Sequence, residues 1–297
     1  MVVENYAPPA RLAVVKGIVG HDAKVTAGLG IALGFLVLAV FAPWIAPVNP
    51  TADLFVPNSP PSAAHWLGTN TFGQDLFSQL VWGARGSLLV SFVAGGLSTF
   101  LAVLVGITAG FLEGWVDRIL SFLMNVFLVI PGLPLLIILS SYAPASGGEW
   151  IVILVIALTG WAWGARILRA QVLSLRERDF VLQAQLVGQP WWSIVFVDIL
   201  PNMASLVVSV LLYGMIGALL AQVSLAFLGL GNVNAVSWGS TLYWAQNNAA
   251  LVNGIWWWFV PPGLAITVFG GALALLNFSV DEITNPRLRR RRVIARG

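Results

Sequence analysis

The side chains able to do chemistry are few and scattered. There is no cysteine, and the two histidines, His21 and His65, stand far apart. Disulfide, thiol and iron–sulfur chemistry are therefore excluded, and a histidine-based metal site has no ligand set. No G-x-x-x-x-G-K-[ST] loop is present to cradle nucleotide phosphates. One stretch, 178–202, has residue types and spacing suited to a specific interaction. Phe180, Val181, Ala184, Val187 and Gly188 follow the i, i+1, i+4, i+7, i+8 pattern of one helix face, while Gln183 and Gln185 point elsewhere. Asp179, or Ser174 paired with Glu177 in a capping box, supplies a helix start, and Gly188 followed by Pro190 supplies a stop. The chemistry of such a helix is insertion of an apolar face. It suits the surface of a bilayer or a groove on a partner protein, and spacing alone leaves both open.

The elements around this stretch are membrane spans. The chain has 297 residues, of which 58% are hydrophobic and only 9% charged, and its mean hydropathy is +0.87. So few charges cannot cover a soluble domain of this size. No Lys, Arg, Asp, Glu or His occurs in 86–112, 119–148, 150–165 or 199–280. A helix needs about 20 apolar residues to cross the hydrocarbon core. The pattern predicts six spans near 25–46, 87–112, 118–141, 150–171, 203–230 and 255–280, and an all-α, polytopic membrane fold. The first apolar run exceeds a signal-peptide core and is read as a retained helix.

With six spans both termini share one side. Placing them in the cytoplasm puts every Lys and Arg except Arg85 on the inner side, as the positive-inside bias requires. The Arg289–Arg292 run then fixes topology and contacts anionic lipid rather than nucleic acid. Trp44, Trp82, Trp115, Trp150, Trp161, Trp163, Trp238 and Trp256–Trp258 fall near predicted span ends, where interfacial anchoring is the expected role. Gly106-x-x-x-Gly110 and Gly160-x-x-x-Gly164 would let helices approach closely. Pro131 and Pro134 are expected to kink the third span. The cores of the spans hold no acid, base or nucleophile for an enzyme, nor a proton relay. The reading is a pathway without its own engine, whose driving force arrives through a contact.

Five groups of residues carry a resemblance. Arg178, Asp179, Val181, Ala184, Gly188, Ile194, Ile199, Leu200, Pro201 and Asn202 resemble the cytoplasmic "EAA" loop of binding-protein-dependent ABC-transporter permeases, with Phe180 a near match. Phe41–Pro47, His65–Asn70 with Gly73–Asp75 and Gly83–Leu88, Leu228–Gly231 with Ser237–Gly239, and Trp257–Gly263 with Asn285–Arg287 are similar to the dipeptide/oligopeptide/nickel group and its "C" type subunit. The resemblance covers almost the whole chain. It implies a type I ABC-importer permease of the bacterial plasma membrane, passing short peptides. Nickel or another small solute is the alternative, and an ATP-independent channel or secondary carrier a further one. It implies a second related permease subunit, two ATPase subunits that bind ATP and Mg, and an extracytoplasmic substrate-binding protein, with no cofactor and no catalytic site on this chain. It makes 172–202 a coupling loop whose helix, carrying Asp179, Phe180, Val181, Ala184, Val187 and Gly188, enters an ATPase cleft. The chain then divides into a cytoplasmic segment 1–24, a first helix 25–46, an extracytoplasmic segment 47–86, a permease core 87–280 and a basic tail 281–297.

The sequence departs from the family pattern at informative points. Leu182 stands where the loop has Glu, Gln183 where it has Ala, and Asp198 where it has His. Asn70 and Gln74 replace Asp and Arg. Phe122 and Asn125 replace an Arg and an Asp in the third span, so both charges of that pair are absent together.

Overall fold

The computed structural model describes residues 23–142 and 148–284. Most of the segment 1–24, and the tail beyond 284 with its arginine run, lie outside the described residues. Among the latter every named element is helical, and Thr69 and Asp75 form one isolated bridge. In a bilayer only structures that satisfy their own backbone can be exposed to lipid, and helices do so within one segment.

The elements are α1 (Ala23–Val40), α2 (Ala42–Ile45), α3 (Leu76–Phe111), α4 (Trp115–Val129), α5 (Gly132–Ser141), α6 (Gly148–Leu175), α7 (Asp179–Leu186), α8 (Trp191–Ser193), a π turn (Ile194–Ile199), α9 (Leu200–Asn202), α10 (Ala204–Phe227), α11 (Trp238–Asn247) and α12 (Trp256–Thr284). Helices α1, α3, α6, α10 and α12 are each long and apolar enough to cross a membrane, and α4 with α5 form a sixth, bent candidate. Helix α3 starts at Leu76, not near 87, and runs for 36 residues. Arg85 makes 76–86 read as a loop, but it is exposed while Leu76, Val81 and Ala84 are buried. The side chain of Asp75 accepts from the Ser78 amide at 2.8 Å and fixes the earlier start. The first span breaks at Phe41, beyond which Pro43 sits in the first turn of α2, where its missing amide costs little.

Pro131 does more than kink the third span. Helix α4 ends at Val129, Pro131 caps α5, and the two axes differ by 90°. Pro134 falls in the first turn of α5, where it disrupts no hydrogen bond.

Small residues set the closest helix approach. A Cβ on Gly106 would lie 2.5 Å from the Ala165 carbonyl oxygen, and one on Gly110 would lie 2.9 Å from that of Arg169. Only glycine fits at these crossings of α3 and α6. Glu149 of α6 lies beside Gly86 of α3, and Val172 beside Gly110, so the two helices run parallel. Helix α10 crosses both: Ser91 donates to the Met215 carbonyl at 2.9 Å, and Val210 fills the space over Gly164.

Three of the tryptophans read as interfacial anchors are core residues. Trp238 and Trp258 are fully buried and Trp161 nearly so. Trp238 donates through Nε1 to the Leu80 carbonyl at 3.0 Å, and its own amide donates to Ser87 Oγ. Position along the chain places a Trp near a membrane boundary. It does not say whether the ring points outward or into the bundle. Trp44, Trp115 and Trp150 do remain exposed.

Candidate functional site

The loop 176–203 is built on the end of α6. Arg176 pairs with Glu113 at 3.0 Å and reaches the Gly110 carbonyl, while Arg169 holds Asp117 in a two-pronged contact of 2.6 and 2.7 Å. Ser121 donates to the same Asp117 carboxylate at 2.9 Å. These bonds tie the α3–α4 turn to α6 where the loop leaves it. The sequence shows Asp117 and Arg169 only as two charges near span ends. Their partnership spans 52 positions and no local pattern reports it.

Helix α7 starts after Arg178, whose backbone is the cap and whose side chain makes no capping bond. Neither cap expected from the sequence forms. Asp179 instead occupies the first turn, where a carboxylate faces the positive end of the helix dipole. Gly188 terminates α7 as expected. Its φ is +75°, its amide donates to Gln185 O, and the Gln189 amide donates to Ala184 O. This is a Schellman stop, which needs a left-handed residue.

The proposed single apolar face is divided. Val181 is 0% exposed and Ala184 is buried, and both sink into a core with Leu168, Val172, Ile194, Val195, Ile199 and Met203. Phe180, Val187 and Gly188 stay exposed, as does Asp179. The outward side carries Leu182, Leu186 and Val187, the last two 87% and 78% exposed. The reason is local. The helix begins immediately after the end of α6, so its i, i+3 pair 181/184 faces back onto the bundle and leaves the i, i+4, i+5 set 182/186/187 outside. The pattern shows two apolar positions per turn but not which of them the parent chain covers. Leu182, at the position where the family loop carries Glu, thus becomes part of the exposed surface.

The next segment repeats this division. The π turn, at five residues per hydrogen-bonded loop, keeps Ile194 and Ile199 both buried, while Phe196 and Val197 face out beside Trp191 and Trp192. π turns are rare and concentrate at functional sites. Asp198 lies in this turn; its Oδ2 is buried without a hydrogen-bond partner, and Asn202 donates to its carbonyl at 2.6 Å.

At the opposite end of the bundle, residues 47–75 form a compact cover. Asn70 donates to Gln74 Oε1 at 2.8 Å, Gln79 donates to the same atom at 2.7 Å, and Gln74 donates to Asp53. The two amides that replace a charged pair in the family pattern therefore hydrogen-bond to each other. A cavity of about 390 Å³ lies between this cover and the α10–α11 connection, lined by Gln74, Gln79, Asn234, Ser240, Thr241 and Trp244 among others.

Phe122 and Asn125 leave the third span without that ion pair, as the sequence reads. The Asn125 Oδ1 instead accepts from Arg166 Nη2 of α6 at 3.2 Å.

Residues 102–290 match the family described as binding-protein-dependent transport system inner membrane component. The chain is 32% identical over 267 residues to the dipeptide transport system permease protein DppC of Bacillus subtilis (strain 168), covering 89% of this chain and 82% of that one. It is 34% identical over 266 residues to a protein of Brucella suis biovar 1 (strain 1330) that carries the provisional name of peptide transport system permease protein, covering 88% and 87%. Having matched that family over more than half its length, on the same helices that carry the divided loop, the chain belongs to the binding-protein-dependent transport system inner membrane components.

Proposed function

We propose that this chain is the permease subunit of an ATP-driven importer of short peptides, seated in the bacterial inner membrane with six passes and both termini in the cytoplasm. The family match and the peptide-transport names of its relatives support the substrate class. The charge distribution supports the orientation, since the side carrying 176–203 then also carries nearly all cations. In this reading a second, related permease completes the pathway, two ATPase subunits bind ATP and Mg, and an extracytoplasmic binding protein delivers the peptide. The names of those relatives favour peptides over the nickel alternative.

One observation carries the mechanism: α7 has one side sunk in the permease core and the other exposed and apolar. Leu182, Leu186 and Val187 enter the ATPase cleft, and Val181 and Ala184 pass the displacement to α6, the π turn and α10. Phe180, Asp179 and Gly188 border the contact. Gly188 sets where the helix stops. A helix held on one side and gripped on the other transmits force, and a remote ligand that favours one packing can bias it.

The test is Leu186→Asp in the assembled complex. Leu186 touches little of its own chain, so insertion and helix content should be unchanged. Co-purification of the ATPases and uptake of labelled dialanine should both collapse. Ordinary uptake by this variant in an intact complex would sink the coupling role. By contrast Ala184→Asp, which the sequence pattern alone offers as a docking variant, would bury a carboxylate in the permease's own core.

A further inference from the structure

Arg166 lies nine positions before the end of α6, about 13 Å along the helix at 1.5 Å per residue. It is exposed, and its side chain has no carboxylate within 4.0 Å among the described residues. A guanidinium stays charged and carries five donors. The recorded bond uses one of them, to the neutral Asn125 amide oxygen at 3.2 Å. The carboxylate two turns away on α4, Asp117, is already held at both oxygens by Arg169 and contacted by Ser121. The cation is therefore oriented but not neutralised, on a helix otherwise built for the membrane. Such a charge is costly unless it faces a partner or a wet path, and it marks function by default.

Its surroundings favour a path. Phe122, one turn from Asn125, and Trp163, one turn from Arg166, are exposed on the same sides of α4 and α6. Tyr213 of α10 meets Trp163 edge-on at 5.7 Å and is exposed as well. A cation with free donors, set among aromatic rings from three helices, matches a small solute that carries a carboxylate and apolar side chains. A permanent counter-charge would serve a fixed contact, whereas a neutral amide leaves the guanidinium available to a group that arrives and departs.

Resting on the peptide-importer reading, we propose that Arg166 is a transit site for the peptide carboxylate, that Asn125 positions it, and that Phe122, Trp163 and Tyr213 receive side chains of the passing peptide. The guanidinium would donate two parallel hydrogen bonds to the carboxylate.

The discriminating variant is Asn125→Asp, which gives Arg166 a resident carboxylate. A structural role for the contact predicts that this stronger pair is harmless. A transit site predicts that it blocks entry. In the reconstituted full complex, uptake of labelled dialanine should fall roughly tenfold in Asn125→Asp and in Arg166→Gln, and recover within about threefold in Arg166→Lys, in line with one charge-assisted contact. Alanyl-photoleucine, irradiated during turnover, should cross-link to α4, α6 or α10 of the wild-type chain, and that adduct should drop by a similar factor in Asn125→Asp. Wild-type uptake in Asn125→Asp, an undiminished adduct, or loss of the second permease from the purified variant would each overturn the transit site. Absence of peptide uptake by the wild-type complex would overturn the importer reading along with it.

Discussion

The two ends of the bundle handle their surfaces in opposite ways. Residues 47–75 contain little regular structure yet tie many of their polar groups to one another by hydrogen bonds. Thr69 is fully buried, donates to the Val56 carbonyl at 2.6 Å and accepts from the Ser59 amide at 2.9 Å, and Trp257 donates to its carbonyl. Loop 176–203 is mostly helical yet leaves eight large apolar side chains exposed: Phe180, Leu182, Leu186, Val187, Trp191, Trp192, Phe196 and Val197. Irregular backbone is affordable where side chains and turns satisfy it. An exposed apolar surface of that extent is not stable in water and marks a binding face. The first end meets many of its polar groups within its own chain, and the second leaves a run of apolar side chains uncovered.

That contrast can be broken by substitutions of graded severity. The largest effect should come from Val181→Asp, which forces a carboxylate into a site with no exposure. It should cost several kcal/mol and show as rapid proteolysis within 176–203, whereas Leu186→Asp should leave the proteolysis pattern unchanged. Gly106→Val should be next, because its Cβ cannot clear the Ala165 carbonyl. A loss of about 3 kcal/mol or more is expected from overpacking at a site with no relief, read as a lowered midpoint in a thermal aggregation assay. Asn70→Ala should cost roughly 1–3 kcal/mol by stranding partners in the amide network, with peptide uptake retained once the complex has assembled. Gly188→Ala is the mildest. A left-handed φ costs an L-residue roughly 1 kcal/mol, so uptake should fall modestly with no change in ATPase co-purification. A large loss of binding from Asn70→Ala, or none from Leu186→Asp, would reverse the assignment of the two ends.

Much of this was legible from residue order because the bilayer makes hydropathy decisive. Five apolar stretches became long helices, and the Gly188 stop appeared where the Gly–Pro signal puts it. What could not be read depends on direction in space. The start of α3 was hidden by Arg85, which is exposed on a helix otherwise rooted in the core. The face of α7 was misdivided because spacing gives relative angles, not the angle to the bundle. The contacts of Arg166 and Asp117 join residues 41 and 52 positions apart, beyond any periodicity. Proline at 131 announced a distortion, but its size depends on how α5 packs against α6.

The glycine crossings of α3 and α6 restrict how this molecule can move. At Gly106 backbone lies against backbone, and at Gly110 only the short, branched Val172 intervenes, so little can change rotamer to absorb a shift. The pair is a rigid beam running the depth of the membrane, with the salt bridge of Asp117 strapping α4 to one end. A displacement delivered from outside would then be taken up where the backbone is already interrupted, as at the 90° corner of Ile130–Gly132, which has a proline in place of one amide.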